Sequence, residues 1–360
     1  MRIAQVSPLF ESVPPKLYGG TERVVSFLTE ALVDLGHDVT LFASGDSVTR
    51  ARLVPCAPRA LRLDKSCREE IAPHVRMVEE AFRRATEFDV IHFHVDYLGF
   101  PAASRHASPH LTTQHGRLDI PELEPLFRLF PAEPQVSISD AQRAPLPFVN
   151  WLATVYHGLP PDLYRLQPRP GQYLAFLGRI SPEKRVDRAV EIARRLDMPL
   201  KVAAKIGKND QDYYDQQIKP LFRDPHVEFV GEIGEGEKQE FLGNAAMLLF
   251  PVDWPEPFGL VMIEAMACGT PVVAFRCGSI PEVMQEGVSG FIVETVDQAV
   301  AAAERALQIP RALCRAYFEE RFLARRMAED YLAAYEALCG TRVASPWSRA
   351  RLRAGGAEVA

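Results

Sequence analysis

Short apolar runs alternate with amphipathic runs along most of this 360-residue chain, and no other feature constrains its fold as strongly. Arg2–Ser7 has the pattern of a buried strand, Thr21–Leu35 carries apolar residues at helical spacing, and His37–Ala43 has a strand pattern again. Gly36 is expected to end the helix between the two strands. Strands that alternate with helices favour a parallel, doubly wound α/β sheet.

The alternation continues in two series, which suggests two domains of ordinary size. The first series adds a helix at about Arg68–Thr86 and strands at Asp89–His94, His110–Gln114 and near Gln135–Ser139. The second series has predicted strands at Tyr173–Leu177, Leu200–Ala204, Val227–Val230, Met247–Pro251 and Pro271–Phe275. Its predicted helices are Arg185–Leu196, Lys238–Ala245, Gly259–Ala267 and, approximately, Asp297–Ala306 and Pro310–Leu338. Gly158–Gly171 is rich in proline and has no periodicity, so we predict the interdomain linker there.

Composition narrows the class of protein. Apolar residues make up 47% of the chain and charged residues 24%, as is typical of a soluble globular protein. A net charge of −6 argues against nucleic acid as a partner. The six cysteines form no C-x-x-C pair, and neither a membrane-spanning run nor the apolar region of a signal peptide is present. We therefore expect a cytoplasmic protein with reduced thiols.

The segment Pro255–Val293 combines a turn, a helical run and a buried strand with two carboxylates at its entry. Glu256 and Glu264 stand eight positions apart, where they can accept hydrogen bonds from hydroxyl groups. Three residues at the start of the helix offer backbone N–H groups for an anion, namely Phe258, Gly259 and Leu260. Two ordinary surface carboxylates are the alternative interpretation, which the apolar context disfavours.

A glycine pair, Gly19-Gly20, stands where the first strand gives way to a helix. Glycines there allow a backbone to approach a phosphate closely, and the helix dipole favours its charge. A plain tight turn, with Thr21 as the N-cap of the helix, is the alternative.

Two cations follow the first strand of the second series. Arg179 and Lys184 lie in the run GRISPEK, at the sheet edge where ligands of α/β folds bind. Arginine can hold two phosphate oxygens and lysine adds a point charge. A solvated basic helix start is the alternative.

Other polar residues carry weaker signals. His115 follows a strand and is a candidate for binding a hydroxyl, although a polar loop residue is an equal alternative. His92 and His94 form an H-x-H pattern, but no third ligand has suitable spacing, so we expect no metal site. Asp210 and Asp212 lie in a polar stretch, where we expect both to be solvated.

The stretch Arg59–Arg84 places basic residues among apolar ones, namely Arg62, Lys65, Arg68, Arg76, Arg83 and Arg84. An ordinary exposed helix with balancing glutamates is the favoured interpretation. Contact with an anionic membrane surface, at the inner face of the membrane, is the alternative.

Five features together resemble the family 4 retaining glycosyltransferases, which have the GT-B fold. They are Gly19-Gly20, Arg179 with Lys184, the E-x7-E pair of Glu256 and Glu264, the run EAMACGTPVV that begins at Glu264, and the segment Gly287–Val293. The resemblance spans about residues 1–340 and is most specific in the second half. It implies two facing, doubly wound Rossmann-like domains with a C-terminal helix that crosses back to the first. The implied domains are 1–157 with about 322–340 on the acceptor side, 158–321 for the nucleotide sugar, and a tail at 341–360.

The resemblance also implies a donor, a nucleotide-diphosphate sugar for which a UDP-sugar is favoured, and neither a metal nor another cofactor. The implied donor-binding residues are Gly19, Gly20, Arg179, Lys184, Phe258, Gly259, Leu260 and Glu264, and the implied catalytic residues are His115, Arg179, Lys184 and Glu256. Arg179 and Lys184 would stabilise the charge that develops on the diphosphate. Glu264 would contact the ribose and Glu256 the transferred sugar. His115 matches the active-site histidine of the family.

The expected function is therefore retaining transfer of a hexose to the hydroxyl of a glycan, a small molecule or a lipid. A GT-B nucleotide-sugar epimerase and a non-catalytic nucleotide-sugar-binding protein are the alternatives, and the intact set of charged residues disfavours both. The chain departs from the family at His157-Gly158, where Asn-Gly is common, and at Ala203–Lys205, where a G-x-G turn is common. The sugar, the base and the acceptor stay open.

Overall fold

A computed structural model describes residues 1–17, 19–169 and 171–340. Its first half contains a seven-stranded sheet in the order β3-β2-β1-β4-β5-β6-β7, with every pair of neighbours parallel. The strands are β1 (Arg2–Val6), β2 (Asp38–Ser44), β3 (Arg52–Ala57), β4 (Val90–Phe93), β5 (His110–Thr113), β6 (Gln135–Ser137) and β7 (Trp151–Thr154). The helices are α1 (Gly20–Asp34), α2 (Ile71–Arg83), α3 (Phe100–Ala103) and α4 (Leu123–Leu129).

The second half contains a six-stranded sheet in the order β10-β9-β8-β11-β12-β13, again with parallel neighbours. Its strands are β8 (Tyr173–Ile180), β9 (Leu200–Ile206), β10 (Val227–Gly231), β11 (Ala245–Phe250), β12 (Val272–Phe275) and β13 (Gly290–Val293). Its helices are α5 (Val186–Leu196), α6 (Gln211–Tyr213), α7 (Glu235–Gly243), α8 (Leu260–Ala267), α9 (Ile280–Val283) and α10 (Val296–Ala306). The predicted pair of doubly wound sheets is confirmed. In each sheet the strand order reverses beside the first strand, and ligands of such sheets bind at the carboxyl ends near that point.

The last part of the described chain differs from the prediction of one long helix. It forms two helices, α11 (Arg311–Arg321) and α12 (Ala324–Leu338). Leu323 is extended between them, and the backbone there pairs with Leu159: Leu159 N–H donates to Phe322 O at 2.8 Å, and Ala324 N–H donates to Leu159 O at 2.8 Å. The tertiary pairing therefore outweighs the helical pattern. Gly158 belongs to the same contact, since a Cβ there would lie 2.4 Å from Leu323 O.

Helix α12 crosses back and packs against α1, as the resemblance implies. Its Tyr331 and Tyr335 are completely buried, and Tyr335 accepts a hydrogen bond from Gln5 of β1. The C-terminal helix thus completes the core of the first half. The predicted tail at 341–360 lies outside the described residues.

Helix α2 carries part of the basic stretch considered above for a membrane surface. One face of it packs on the first sheet through Met77, Val78 and Phe82, while Arg83 pairs with Glu79 on the outside at 3.2 Å. This is the ordinary amphipathic surface helix that the sequence favours. Among residues 1–17, 19–169 and 171–340, no helix is both long enough and apolar enough to cross a bilayer.

Aromatic side chains join the two halves. The rings of Tyr156, Phe258 and Phe322 contact one another with centroids 6.2 to 6.5 Å apart, and all three belong to one apolar cluster that spans both sheets. Because Phe258 directly precedes the start of α8, this contact fixes the entry of α8 beside the first domain.

Candidate active site

The starts of α1 and α8 face each other across the cleft between the two sheets. A Cβ on Gly20 would lie 3.8 Å from Leu260 Cδ1, so the Leu260 side chain lies close to the Gly20 backbone. A Cβ on Gly19 would lie 2.8 Å from the Pro15 side chain, which explains glycine at that position. The alternative with Thr21 as N-cap is wrong, because the helix begins at Gly20 and Gly19 occupies the cap position.

The turn into α8 depends on glycine and on a second loop. Gly259, the N-cap of α8, has φ +80°, and a Cβ there would lie 2.7 Å from Met262 Cε. Ser279 holds the turn from outside, since its N–H donates to Glu256 O and its hydroxyl to Phe258 O, both at 3.0 Å. These two hydrogen bonds therefore fix the backbone conformation at Glu256 and Phe258.

Glu256 and Lys184, which the sequence singled out separately, form an ion pair. Lys184 Nζ lies 2.5 Å from Glu256 Oε2, and the Glu256 residue is only 8% exposed. Trp254 Nε1–H donates to the same oxygen at 2.9 Å, and the Lys184 ammonium lies 4.9 Å from the centre of the indole ring. Trp254 was not predicted from the sequence. Its position two residues before Glu256 is the signal that could have indicated it.

Arg179 ends β8 beside two carboxylates. Its Nη2 donates to Glu183 Oε1 at 2.7 Å, and its Nε lies 3.6 Å from Asp210 Oδ2. The expectation that Asp210 is merely solvated is therefore wrong, because the fold brings its loop next to β8. The Arg179 side chain keeps 40% of its surface exposed, which leaves room for a further anion.

Glu264 lies one turn into α8 and is 3% exposed. Its Oε1 lies 2.7 Å from Lys238 Nζ, which also lies 3.5 Å from Glu235 Oε2. Glu235 in turn pairs with Arg23 of α1, so this charged chain connects the carboxylate to the first domain. Lys238 and Arg23 were missed in the sequence. Lys238 is 26 positions away from Glu264 and Arg23 is 212 positions away from Glu235, so no local pattern indicates either pair.

His115 is placed near this cluster by its ring contacts. Its ring stacks on His157 with centroids 5.5 Å apart, and His157 lies 4.7 Å from the ring of Phe258 at the entry of α8. Two residues further, the Arg117 guanidinium lies 5.4 Å from the ring of Trp254. The loop after β5 therefore reaches across the cleft to the turn that carries the Glu256 carboxylate. Burial lowers the pKa of His115 to about 3, so its ring is neutral at physiological pH.

The H-x-H pattern lies in the interior of the first domain. His92 and His94 are completely or almost completely buried, with ring centroids 3.9 Å apart. Within the part of the chain that the structure describes, no group of three or more His, Cys, Asp and Glu side chains is placed to hold a metal ion.

The arrangement combines two cations at the edge of one sheet with two buried carboxylates, a helix start and a neutral histidine. Cations and helix N–H groups suit a diphosphate, whereas carboxylates and a neutral imidazole suit hydroxyl groups. The structure thus brings most of the sequence-predicted residues to one cleft, although their assignment to particular atoms of a ligand stays a prediction.

Two family models match the chain. The model for glycosyl transferases group 1 matches residues 166–319, and the model for glycosyltransferase family 4 matches residues 18–159. Each match thus falls on one of the two sheets and its helices.

Curated relatives align over most of their length. A phosphatidyl-myo-inositol mannosyltransferase of Mycolicibacterium smegmatis is 26% identical over 334 residues, covering 84% of this chain and 83% of the relative. A D-inositol 3-phosphate glycosyltransferase of Kribbella flavida is 26% identical over 345 residues, covering 76% of this chain and 78% of the relative.

Solved structures share the fold. AviGT4, a glycosyltransferase involved in avilamycin A biosynthesis, superposes with a TM-score of 0.74 at 25% identity, over 94% of this chain and 98% of its own. HepE of Anabaena, in complex with UDP and glucose, superposes with a TM-score of 0.72 at 18% identity, over 94% and 100%. The GT-B prediction is confirmed by these likenesses and by the two parallel sheets.

Proposed function

We propose a specific reaction for this chain, which belongs to glycosyltransferase family 4 and is a glycosyltransferase. It moves a hexose from a nucleotide-diphosphate sugar to an acceptor hydroxyl, with retention of configuration. The observation that carries this proposal is the cluster of Lys184, Glu256 and Trp254 next to Arg179, opposite Gly20 of the other domain. It offers cations and hydroxyl-binding carboxylates within one cleft. The complex of HepE with UDP supports a uridine donor.

In this proposal, Arg179 and Lys184 hold the diphosphate and stabilise the charge that grows on it as the glycosidic bond breaks. Glu256 accepts hydrogen bonds from the transferred sugar, and its contact with Lys184 keeps that cation beside the leaving group. Glu264 accepts the ribose hydroxyls. The acceptor hydroxyl enters on the face that the diphosphate leaves, and a diphosphate oxygen takes its proton.

In the proposed arrangement Arg179 and Lys184 lie where negative charge develops on the leaving diphosphate, so we propose that turnover requires no metal ion. Each of Arg179 and Lys184 already has a carboxylate neighbour, which keeps it in place before the donor binds. Preorganised cations of this kind need no rearrangement when the charge develops.

The acceptor class depends on the first domain. We propose a cytoplasmic enzyme that contacts a membrane surface only if its acceptor is a lipid, as the name of the mannosyltransferase relative suggests for that protein. The outer face of α2 offers Ile71 and Val75, which are exposed, beside Arg68. Flotation with anionic and with neutral vesicles tests this contact. Binding to anionic vesicles alone would direct the acceptor search to lipids, and no binding would direct it to water-soluble acceptors.

The donor is tested by calorimetry with UDP, GDP and ADP, each followed by its glucose, galactose, mannose and N-acetylglucosamine derivatives. We expect one nucleotide to bind selectively and Arg179→Ala to abolish that binding. Arg194→Ala is the matched control, since Arg194 lies on α5 and pairs with Asp224, away from the cleft. Absence of binding to every nucleotide, with the protein folded, would refute the proposed function.

A further inference from the structure

A line of buried polar side chains connects α12 to His115. His115 Nε2 lies 2.9 Å from His94 Nδ1, and His94 Nε2 lies 2.7 Å from Gln5 Oε1. Gln5 Nε2 donates to the Tyr335 hydroxyl at 3.1 Å. Gln5, His94 and Tyr335 have at most 1% of their surface exposed. We call these four residues the buried polar chain.

The two imidazoles of the buried polar chain are neutral. Burial lowers the pKa of His94 well below its ordinary value, and the nearby His92 and His115 rings add to the effect. Burial lowers the pKa of His115 to about 3. A neutral imidazole has one N–H donor and one acceptor nitrogen, so the direction of each hydrogen bond determines which tautomer is present.

The amide of Gln5 sets that direction. Its oxygen faces His94, so His94 Nε2–H donates to it and His94 Nδ1 is left as an acceptor. His115 Nε2–H must then donate to His94 Nδ1. The remaining nitrogen of His115, Nδ1, carries a lone pair and forms no hydrogen bond with the described residues.

The far end of the chain is consistent with this direction. The Tyr335 hydroxyl accepts from Gln5 and therefore donates to His92 Nδ1, at 2.7 Å. His92 Nε2–H then donates to Thr113 Oγ1 at 2.7 Å. Each hydrogen bond along the line then joins one donor to one acceptor, as a connected buried network requires.

We propose that Gln5, His94 and Tyr335 are positioning residues that hold His115 in its Nε2–H tautomer, so that Nδ1 accepts a hydrogen bond from a hydroxyl of the transferred sugar. The second half of this statement rests on the proposed function, because it requires a sugar in the cleft. The first half concerns the protein alone. It also gives α12 a role at the active site, since Tyr335 lies on that helix.

The opposite direction of these hydrogen bonds would place the His115 proton on the other ring nitrogen. If the Gln5 amide were turned over, each bond of the chain would reverse, and His115 would carry its proton on Nδ1 and donate to the sugar. The two arrangements differ in the protonated nitrogen of one ring. That nitrogen is directly observable, because protonated and unprotonated imidazole nitrogens differ widely in ¹⁵N chemical shift.

The first experiment is a long-range ¹H–¹⁵N correlation spectrum of the full-length protein with ¹⁵N-labelled histidine, without ligand. His115→Asn, which removes one ring system, assigns the signals. We expect His115 with a protonated Nε2 and an unprotonated Nδ1. A protonated Nδ1 in the wild-type protein would overturn the proposal.

The second experiment compares Tyr335→Phe with Tyr331→Phe. Both tyrosines lie on α12 and are completely buried, but the Tyr331 hydroxyl bonds to Thr113, at 2.9 Å, and not to Gln5. Tyr335→Phe frees the amide of Gln5 to turn, so we expect a mixture of His115 tautomers. We also expect kcat for hydrolysis or transfer of the donor to fall in proportion to the fraction of molecules that keep the Nε2–H tautomer, by about tenfold if that fraction falls to about one tenth. KM should change less than about twofold.

Tyr331→Phe should keep the wild-type tautomer and rate. Equal behaviour of the two variants in both tautomer and kcat would refute the positioning role. If His115 showed the expected tautomer in a protein that binds no nucleotide sugar, the sugar contact and the proposed function would fall together. The tautomer assignment would stand in that case.

Discussion

The ion pair of Lys184 and Glu256 allows stability and donor binding to be separated. Their side chains are 18% and 11% exposed, so replacing Lys184 by Met leaves a mostly buried carboxylate that keeps, among the described residues, its hydrogen bond from the Trp254 N–H. Leaving such a group unpaired costs about 1–3 kcal/mol of folding free energy. Lys184→Met should therefore lower the free energy of unfolding by that amount, as measured by urea denaturation.

The same variant should weaken binding of the nucleotide diphosphate. A charge-assisted hydrogen bond contributes about 1.5–3 kcal/mol, which corresponds to about a 10- to 150-fold rise in Kd. Adding Glu256→Gln removes the unpaired charge, so the double variant should regain most of the lost stability. It should not regain nucleotide affinity, since the cation is still missing.

Calorimetry with the nucleotide identified for the wild type, together with urea denaturation of both variants, provides the comparison. Recovery of affinity in the double variant would show that Lys184 acts only by neutralising Glu256. A change in Kd below about threefold for Lys184→Met, in a folded protein, would refute its contact with the diphosphate.

Three further predictions concern the turn, a buried histidine and metals. Gly259→Ala should lower the free energy of unfolding by about 1–2 kcal/mol, because φ is +80° and a Cβ would meet Met262; an unchanged urea midpoint would contradict this. Burial lowers the pKa of His110, but its hydrogen bonds to Glu133 and to the Ser108 carbonyl, together with the negative charge of Glu133, outweigh this effect and raise the pKa above its ordinary value. The pair should therefore stabilise the fold fully below about pH 6.5 and lose that contribution as the pH rises through the raised pKa. His110→Asn should flatten the pH dependence of stability in that range, and a parallel curve would exclude the effect. Transfer should persist in EDTA, and loss of activity that Mg²⁺ or Mn²⁺ restores would disprove metal independence.

The sequence predicted the fold well where strands are buried on both faces. Strands such as β11 and β12 are continuous apolar runs between turns, so their pattern alone indicates a parallel sheet. β3 and β7 were missed because they are edge strands with half-exposed residues, and β3 contains Pro55. The break before α12 was missed because it depends on Leu159, a residue far away in the chain.

The sequence could predict those site residues that lie close together in the chain. Glu256 and Glu264 share one turn–helix unit, so the sequence indicated that they act together. Lys238, which neutralises Glu264, is brought there by the packing of α7 on α8, and nothing near it in the chain indicates this. The direction of the hydrogen bond at His115 depends on Gln5 and Tyr335, which are 330 positions apart.

The return of α12 has a consequence during synthesis on the ribosome. The first sheet is complete in sequence once β7 has been made, at Thr154, but the partner of Gln5 and His92 follows about 180 residues later, at Tyr335. At ordinary translation rates of about 5–20 residues per second, the amino-terminal half waits for about 10–40 seconds with the face that α12 will cover still open. The second domain, whose strands and helices run without interruption from β8 to α11, is complete in sequence at Arg321, before Tyr335 is made. The domain that is made first is therefore the one finished last.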